Sequence, residues 1–329
     1  MKLTDVRIGI SGWRYAPWRG VFYPPELPQR RELWFASRAL PTLEINGSFY
    51  SLQRPEHYQS WFDETPDDFL FSVKGSRYIT HILRARNVEQ ALANFLASGL
   101  FNLKHKLGPI LWQFPPNFAF DAEVMESLLA LLPRSTGEAL VLARKHDSRV
   151  EGRACLEIDI DRPLRHAFEI RNPTFIDPTF TQLLRHHHAA LVVADTAGKW
   201  PDAEDVTADF IYVRLHGAEE LYASGYSDAA LDVWAEKISA WRDGGQASND
   251  RLIDSDHRLL KKKRDVYVYF DNDIKVHAPF DAATLANRLG ALNALNGHGQ
   301  FEVSDTDSGA VLRSAKLARD NAHGQLQIP

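Results

Sequence analysis

Six residues in this chain are of types that move protons or hold anions: Glu44, Lys74, Glu169, Arg171, Arg214 and His216. They stand in or at the end of four short apolar runs, TLEIN, FLFSVK, HAFEIR and FIYVRLH. A glutamate paired with a histidine can pass a proton to and from a substrate. Lysine and arginine can clamp a phosphate or carboxylate. The candidate catalytic set is therefore Glu44, Glu169 and His216. The candidate ligand-binding set is Asn46, Tyr50, Lys74, Gln113, Arg171, Asp195, Arg214, Asn272 and Trp13. Two glutamates also admit glycosidase chemistry, whose carboxyl groups stand ~5 Å or ~6.5–9.5 Å apart. Neighbouring cations that hold both carboxylates ionised count against it. A metal centre would draw on His216 with Glu44, Glu169 or Asp195. One histidine among three cations is a poor zinc site, so neither a metal nor a cofactor is expected.

Eight short segments read as strands and would carry these residues: Val6–Ser11, Thr42–Asn46, Phe69–Lys74, Pro109–Phe114, His166–Arg171, Leu191–Asp195, Phe210–His216 and Asp265–Asp271. All are apolar or β-branched and bounded by Gly, Pro, Asn or Asp. None is followed closely by a partner in hairpin register, so the long connections imply parallel pairing with crossovers. Helices are expected at Arg30–Ala39, Glu56–Glu64 and Val88–Ser98, with Gly99 as a stop. Another begins at the cap Asp121 and ends before Pro133, and Asp177-Pro178 opens the next. Leu231, Trp234, Ile238 and Trp241 mark an amphipathic face, and Leu285, Leu289 and Leu292 mark a second. This alternation predicts an α/β fold, a single (β/α)8 TIM-type barrel over residues 1–296. A doubly wound open sheet is the rival, but no Gly-rich phosphate fingerprint follows the first strand. Insertions are expected before the fifth strand (134–165) and before the eighth (243–264). Both should lie on the N-terminal face of the barrel. The sixth crossover, 197–209, is too short and acidic for a convincing helix. Residues 297–329 read as a polar tail with a frayed end.

Alternation along the strands selects the site. Successive strand residues point to opposite faces. If Ile211, Val213 and Leu215 face the helices, Tyr212, Arg214 and His216 face into the barrel. The same rule turns Glu44, Asn46, Ser72, Lys74, Glu169 and Arg171 inward. Ser11, Gln113 and Asp195 fit at the mouths of their strands, and Asn272 follows the eighth. Nearly every strand then ends in an inward polar residue. Each unpaired buried polar group costs ~1–3 kcal/mol, so a rim of them calls for a ligand or for a self-satisfied salt-bridge plug. The ligand reading is favoured because barrel active sites lie at the C-terminal face.

Composition narrows the setting. The chain has 329 residues, with 43 acidic and 38 basic side chains and a net charge of −5. That does not suit a generally basic nucleic-acid binder. No apolar run approaches the ~20 residues of a membrane helix, and the start does not read as a signal peptide. The single cysteine, Cys155, leaves no internal disulfide framework. A cytoplasmic setting is expected. No motif fixes an oligomeric state. The aromatic residues Trp13, Trp18, Phe22 and Tyr23 in the first loop either stack on a ligand ring or cap the barrel. Tyr222 and Tyr226 can lie over the pocket. His186, His187 and His188 read as a solvated helix terminus, and 261–264 as a solvated basic loop.

The blocks GISGWRYAPWRGVFYP, LEINGSFYSLQRPEHYQSWFDETPDDFLFSVKGSRYITH, GPILWQFPPNF, FEIRNPTF, YVRLHG and VYVYFDND occur in that order. Together they resemble the DUF72 (YecE-like) family, a TIM-barrel domain of unknown function. The resemblance spans about residues 7–288 apart from the two insertions. It points to Glu44, Asn46, Tyr50, Lys74, His81, Gln113, Glu169, Arg171, Arg214, His216, Asn272 and Asp273 as recurrent positions. Phe175 stands where a tryptophan is common. The resemblance implies the barrel but no reaction. From the residues, the expected function is acid–base chemistry of hydrolase or isomerase/lyase type on a small anionic molecule bearing a phosphate or carboxylate. The alternative is a non-catalytic module that binds a nucleotide, metabolite or nucleic-acid end, with nucleic acid the less favoured partner.

Overall fold

The computed structural model describes residues 6–247 and 250–291, together with the backbone of 301–304 and 311–314. Eight parallel strands close into a barrel in chain order: β1 (Val6–Ser11), β2 (Thr42–Ile45), β3 (Leu70–Lys74), β4 (Leu107–Gln113), β5 (His166–Glu169), β6 (Ala190–Asp195), β7 (Phe210–Leu215) and β8 (Asp265–Phe270). β8 pairs with β1, Val6 beside Val266 and Ile10 beside Phe270, which closes the ring. Each expected strand is present at its place, the first with its expected bounds and the others with one or both ends shifted by one or two residues. Closure removes every sheet edge, so short strands can be buried on both faces without exposing backbone donors.

Helices α1 (Glu32–Ala39), α2 (Gly47–Tyr50), α3 (Pro55–Glu64), α4 (Glu89–Ala97), α5 (Ala122–Leu131), α6 (Thr136–Ala143), α7 (Pro178–His186), α8 (Asp228–Arg242) and α9 (His277–Arg288) lie among the strands. Their starts follow local chemistry. Asp121 accepts from the Val124 amide at 3.2 Å and Asp177 from the Thr179 amide at 2.8 Å. Gly99 ends the α4 region with φ +117°, a conformation that a residue with a Cβ resists. Leu231, Trp234, Ile238 and Trp241 are the buried face of α8. Leu285 is buried on α9, whereas Leu292 lies outside the described residues.

Two layers of packing result. Ile8, Ile10, Leu43, Ile45, Phe71, Val73, Phe168, Val213 and Val268 join the helices in the outer core. Leu111, Ala167, Ala190, Val192, Ala194, Tyr212 and Tyr269 fill the barrel interior. Alternation decides which residue joins which layer.

The insertion before β5 carries α6, which packs on α4 and returns through a bridge between Ser135 and Pro163. The insertion before β8 reaches the sixth crossover. The amides of Ile253 and Asp254 donate to Asp205 at 2.7 and 3.0 Å, and Arg185 pairs with Asp254 at 2.5 Å. That crossover has no helix, as its composition predicts, and the insertion supplies its hydrogen bonds instead. Two further strands, β9 (Phe301–Ser304) and β10 (Val311–Ser314), form an antiparallel pair in the segment read as a polar tail. The rest of that segment lies outside the described residues. Among the described residues, no helix is long and apolar enough to cross a membrane.

Candidate functional site

Arg214 is the hub of the barrel mouth. It points inward from β7 and is fully buried. Its Nη2 donates to Glu44 Oε1, Ser11 Oγ and Asp271 Oδ2, each at 2.9 Å, and its Nη1 donates to Glu169 Oε2 at 2.7 Å. Glu44 is equally sealed. Ser11 Oγ donates to its Oε1 at 2.5 Å and the Tyr212 hydroxyl to its Oε2 at 2.6 Å. The Gln113 side-chain amide donates to both Glu169 oxygens, at 2.9 and 3.0 Å. Arg171 adds Nε and Nη2 to Glu169 Oε1, at 2.9 and 2.8 Å. Burial alone would raise the Glu169 carboxyl, but Arg171, Arg214, His216 and Lys74 outweigh it and hold it well below the usual range.

His216 is fully buried beside this network. Its Nδ1 lies 3.0 Å from Asp271 Oδ2, off the line of a good hydrogen bond, and its Nε2 is 3.7 Å from Glu169 Oε1. Asp271 is pushed up by burial but more strongly down by Arg214 and His216, so it stays ionised. Asp273 is its opposite. Burial and the adjacent Asp271 carboxylate raise it well above the ordinary carboxylate range. Of this adjacent pair Asp271 therefore carries the charge, and the Tyr15 hydroxyl donates to Ser11 O at 2.6 Å.

Lys74 differs from the other mouth cations. It ends β3 on the inward face and is only 8% exposed. Its Nζ sits 4.5 Å from the centre of the Phe49 ring. Among the described residues, its ammonium makes no hydrogen bond and no ion pair. Burial and the Arg214 charge push it down to about 8, with Glu44, Glu169 and Asp271 offsetting part of the fall. His81 packs edge-on to the same Phe49 ring at 5.1 Å. Burial and the charges of Lys74, Arg171 and Arg77 lower it to about 4, so it is neutral at pH 7. Gly75, next to Lys74, has no room for a side chain. A Cβ there would lie 2.4 Å from the Trp112 ring.

The structure thus brings Glu44, Lys74, Gln113, Glu169, Arg171, Arg214 and His216 into one mouth. Asn46 joins them, its Nδ2 donating to Ser11 Oγ at 2.9 Å while its Oδ1 is buried without a partner. Four expected positions stand elsewhere. Asp195 falls on the helix-facing side, because β6 starts at Ala190 and alternation puts Ala190, Val192 and Ala194 inside. Its carboxylate accepts from the Ala197 amide at 3.3 Å. Asn272 is one residue beyond the inward position. Its amide holds Ser224 O at 3.0 Å and Asp281 Oδ2 at 2.8 Å. Tyr50 is 70% exposed and touches Phe49. Trp13 lies against Trp61 and Phe71, lining a side cavity of about 470 Å³ with Asn46, Tyr15 and His57.

Asp271 was missed, although the alternation Tyr267, Tyr269, Asp271 selects it. Trp200 was missed too. Its ring lies 3.7 Å under the Arg171 guanidinium, and the irregular crossover that carries it has no periodicity to read. Tyr222 accepts from Arg171 Nη2 at 3.2 Å and covers His216 edge-on at 5.3 Å. Trp18, Phe22 and Tyr23 are sealed into the outer core and cap the barrel. His187 pairs with Glu126 at 2.9 Å.

A closed (β/α)8 barrel with a charge-paired C-terminal mouth defines the class. Residues 7–300 match the family described as "Protein of unknown function DUF72", and the chain belongs to that family. It is 31% identical over 118 residues to the UPF0759 protein YunF of Bacillus subtilis (strain 168). That match covers 34% of this chain and 41% of YunF, so the chain spans less than half the length of that relative. A DUF72 family protein of Thermotoga maritima MSB8 superposes with a TM-score of 0.66 at 22% identity, covering 87% of this chain and 99% of that one. One from Enterococcus faecalis V583 gives 0.60 at 18% identity, covering 87% and 95%. These two likenesses show the shared fold.

Proposed function

We propose that the barrel mouth binds a small anionic molecule through Lys74 and moves a proton on it, in chemistry of hydrolase or isomerase/lyase type. The observation that carries this reading is the uncommitted ammonium. Arg214 and Arg171 are spent on carboxylates, whereas Lys74 has no such partner among the described residues. A phosphate or carboxylate oxygen would supply one. At pH 7 Lys74 is mostly protonated and can donate a proton, and the neutral His81 ring can accept one.

Glu44, Glu169 and His216 take a different part in this reading from direct acid–base work. Their polar atoms face Arg214, Arg171, Gln113, Ser11, Tyr212 and Asp271, and solvent does not reach them. They hold the field around Lys74 and keep the strand ends rigid.

The test is calorimetric titration of the full chain with inorganic phosphate at low ionic strength. Binding that disappears in Lys74→Met, with the fold retained, supports the reading. No binding by the parent protein, or equal binding by Lys74→Met, overturns it. Turnover with a bound anionic substrate, rather than binding alone, separates an enzyme from a binding module. A salt dependence with a log–log slope near −1 fits a single anionic group, whereas a nucleic-acid strand gives a much steeper one.

A further inference from the structure

We propose that Lys74 is a covalent nucleophile: its Nζ forms a Schiff base with the carbonyl carbon of a small anionic aldehyde, ketone or 2-oxo acid. This rests on the reading of the mouth as an anion pocket and chooses its isomerase/lyase arm.

The geometry is that of an amine kept for attack. Lys74 ends strand β3, and Gly75 beside it lies so close to Trp112 that a Cβ there would sit 2.4 Å from the ring. Its Nζ has an aromatic face on one side and no carboxylate within ion-pair distance among the described residues. Lys74 Nζ is not among the sealed, unpartnered polar atoms, so it reaches solvent at the mouth, whereas a structural lysine such as Lys106 spends its ammonium on carbonyls. Lys106 gives its ammonium to Phe62 O and Thr65 O at 2.7 and 2.8 Å. The charges that act on Lys74 are those of Arg214, Glu44, Glu169 and Asp271, and the neutral His81 packs against the same Phe49 ring. Burial, and after it the Arg214 charge, lowers the proton affinity of Lys74, the usual way of activating an amine. With the ammonium at about 8 rather than 10.5, the neutral fraction at pH 7 rises by on the order of 300-fold.

The step balances with the residues present. The amine lone pair adds to the carbonyl carbon, and the C=O π pair moves to oxygen. One proton passes from nitrogen to that oxygen, for which the neutral His81 ring is the nearby carrier. A second proton, the one the Lys74 ammonium gave up to become the free amine, converts the hydroxyl to water. The C–O bond breaks, water leaves, and a C=N bond to Nζ remains. No oxidant or reductant is consumed. The iminium then withdraws electrons from the adjacent carbon, which is what a lyase or isomerase requires.

The test uses glyoxylate and pyruvate as probes, each with sodium cyanoborohydride to add hydride to the imine carbon, followed by peptide mapping. The expected result is one stable adduct per chain, on Lys74, formed at least ~10-fold faster than on an exposed lysine such as Lys275. Phosphate should slow it, and Lys74→Arg should abolish it while the thermal melt stays near that of the parent. Labelling of Lys74 no faster than of Lys275 with both probes overturns the proposal. If phosphate still binds in that case, the anion pocket stands and only the covalent step falls. If phosphate neither binds nor protects, the pocket reading falls with it.

Discussion

Replacing Arg214 by alanine removes one guanidinium from three carboxylates at once. Glu44 and Glu169 are sealed, and Asp271 is nearly so. Breaking a buried ion pair by deleting one partner costs ~3–5 kcal/mol, because the remaining charge is left without compensation. Arg171 still holds Glu169, and Ser11 and Tyr212 still donate to Glu44, so the loss should fall within that range rather than at a multiple of it. In a chain of 329 residues each kcal/mol moves the melting temperature by only ~1–2 °C, so Arg214→Ala should melt ~3–10 °C lower at pH 7. Circular dichroism melts, with urea unfolding for the free energy, measure both. The pH dependence follows from Glu169 and Asp271, whose carboxyls are held below their ordinary range. Groups of that kind contribute stability above their unfolded pKa, ~4, and lose it as pH falls through the folded value. The gap between parent and variant should therefore be fully open at neutral pH and narrow below ~4. A variant that melts within ~1 °C of the parent at pH 7 would refute the hub role of Arg214.

Gly75→Ala should destabilise by ~1–3 kcal/mol, read by the same melts, because its Cβ would meet the Trp112 ring at 2.4 Å. Reaction of Lys74 with an amine reagent, followed by mass spectrometry, should rise with pH to a midpoint of about 8, well below the ~10.4 of a free lysine side chain. Asn272→Ala should cost ~1–3 kcal/mol in urea unfolding by stranding Asp281 and Ser224, yet leave phosphate binding unchanged.

Alternation along short strands located the mouth from sequence, because a period of two assigns a face without further information. It selected Glu44, Lys74, Glu169, Arg171, Arg214 and His216, and the fold brings them together. What alternation lacks is depth. It gave Arg214 and Lys74 the same standing, whereas one is the sealed centre of a network and the other has an ammonium without a hydrogen-bond or ion-pair partner among the described residues. Depth depends on the stagger between strands and on the loops above them. Asp195 and Asn272 show how a strand limit matters: each lies one residue from an inward position, beside Ala194 and Asp271. Trp200 comes from a crossover without periodicity and His81 from the short helical turn Tyr78–Ile82, and only tertiary contacts place them beside Arg171 and Lys74. The two insertions were visible as polar, irregular stretches. Their attachment, Asp254 to Arg185 and Ile253 to Asp205, depends on partners far away in the chain.

The anion reading of the mouth is tested most directly by crystals of the parent protein and of Lys74→Met grown in parallel with phosphate. The parent should hold a tetrahedral anion within ~3 Å of Lys74 Nζ, at charge-assisted hydrogen-bond distance, and the variant should lack it. An anion bound equally in both, or a Lys74 ammonium turned onto Glu169 with nothing bound, would contradict it.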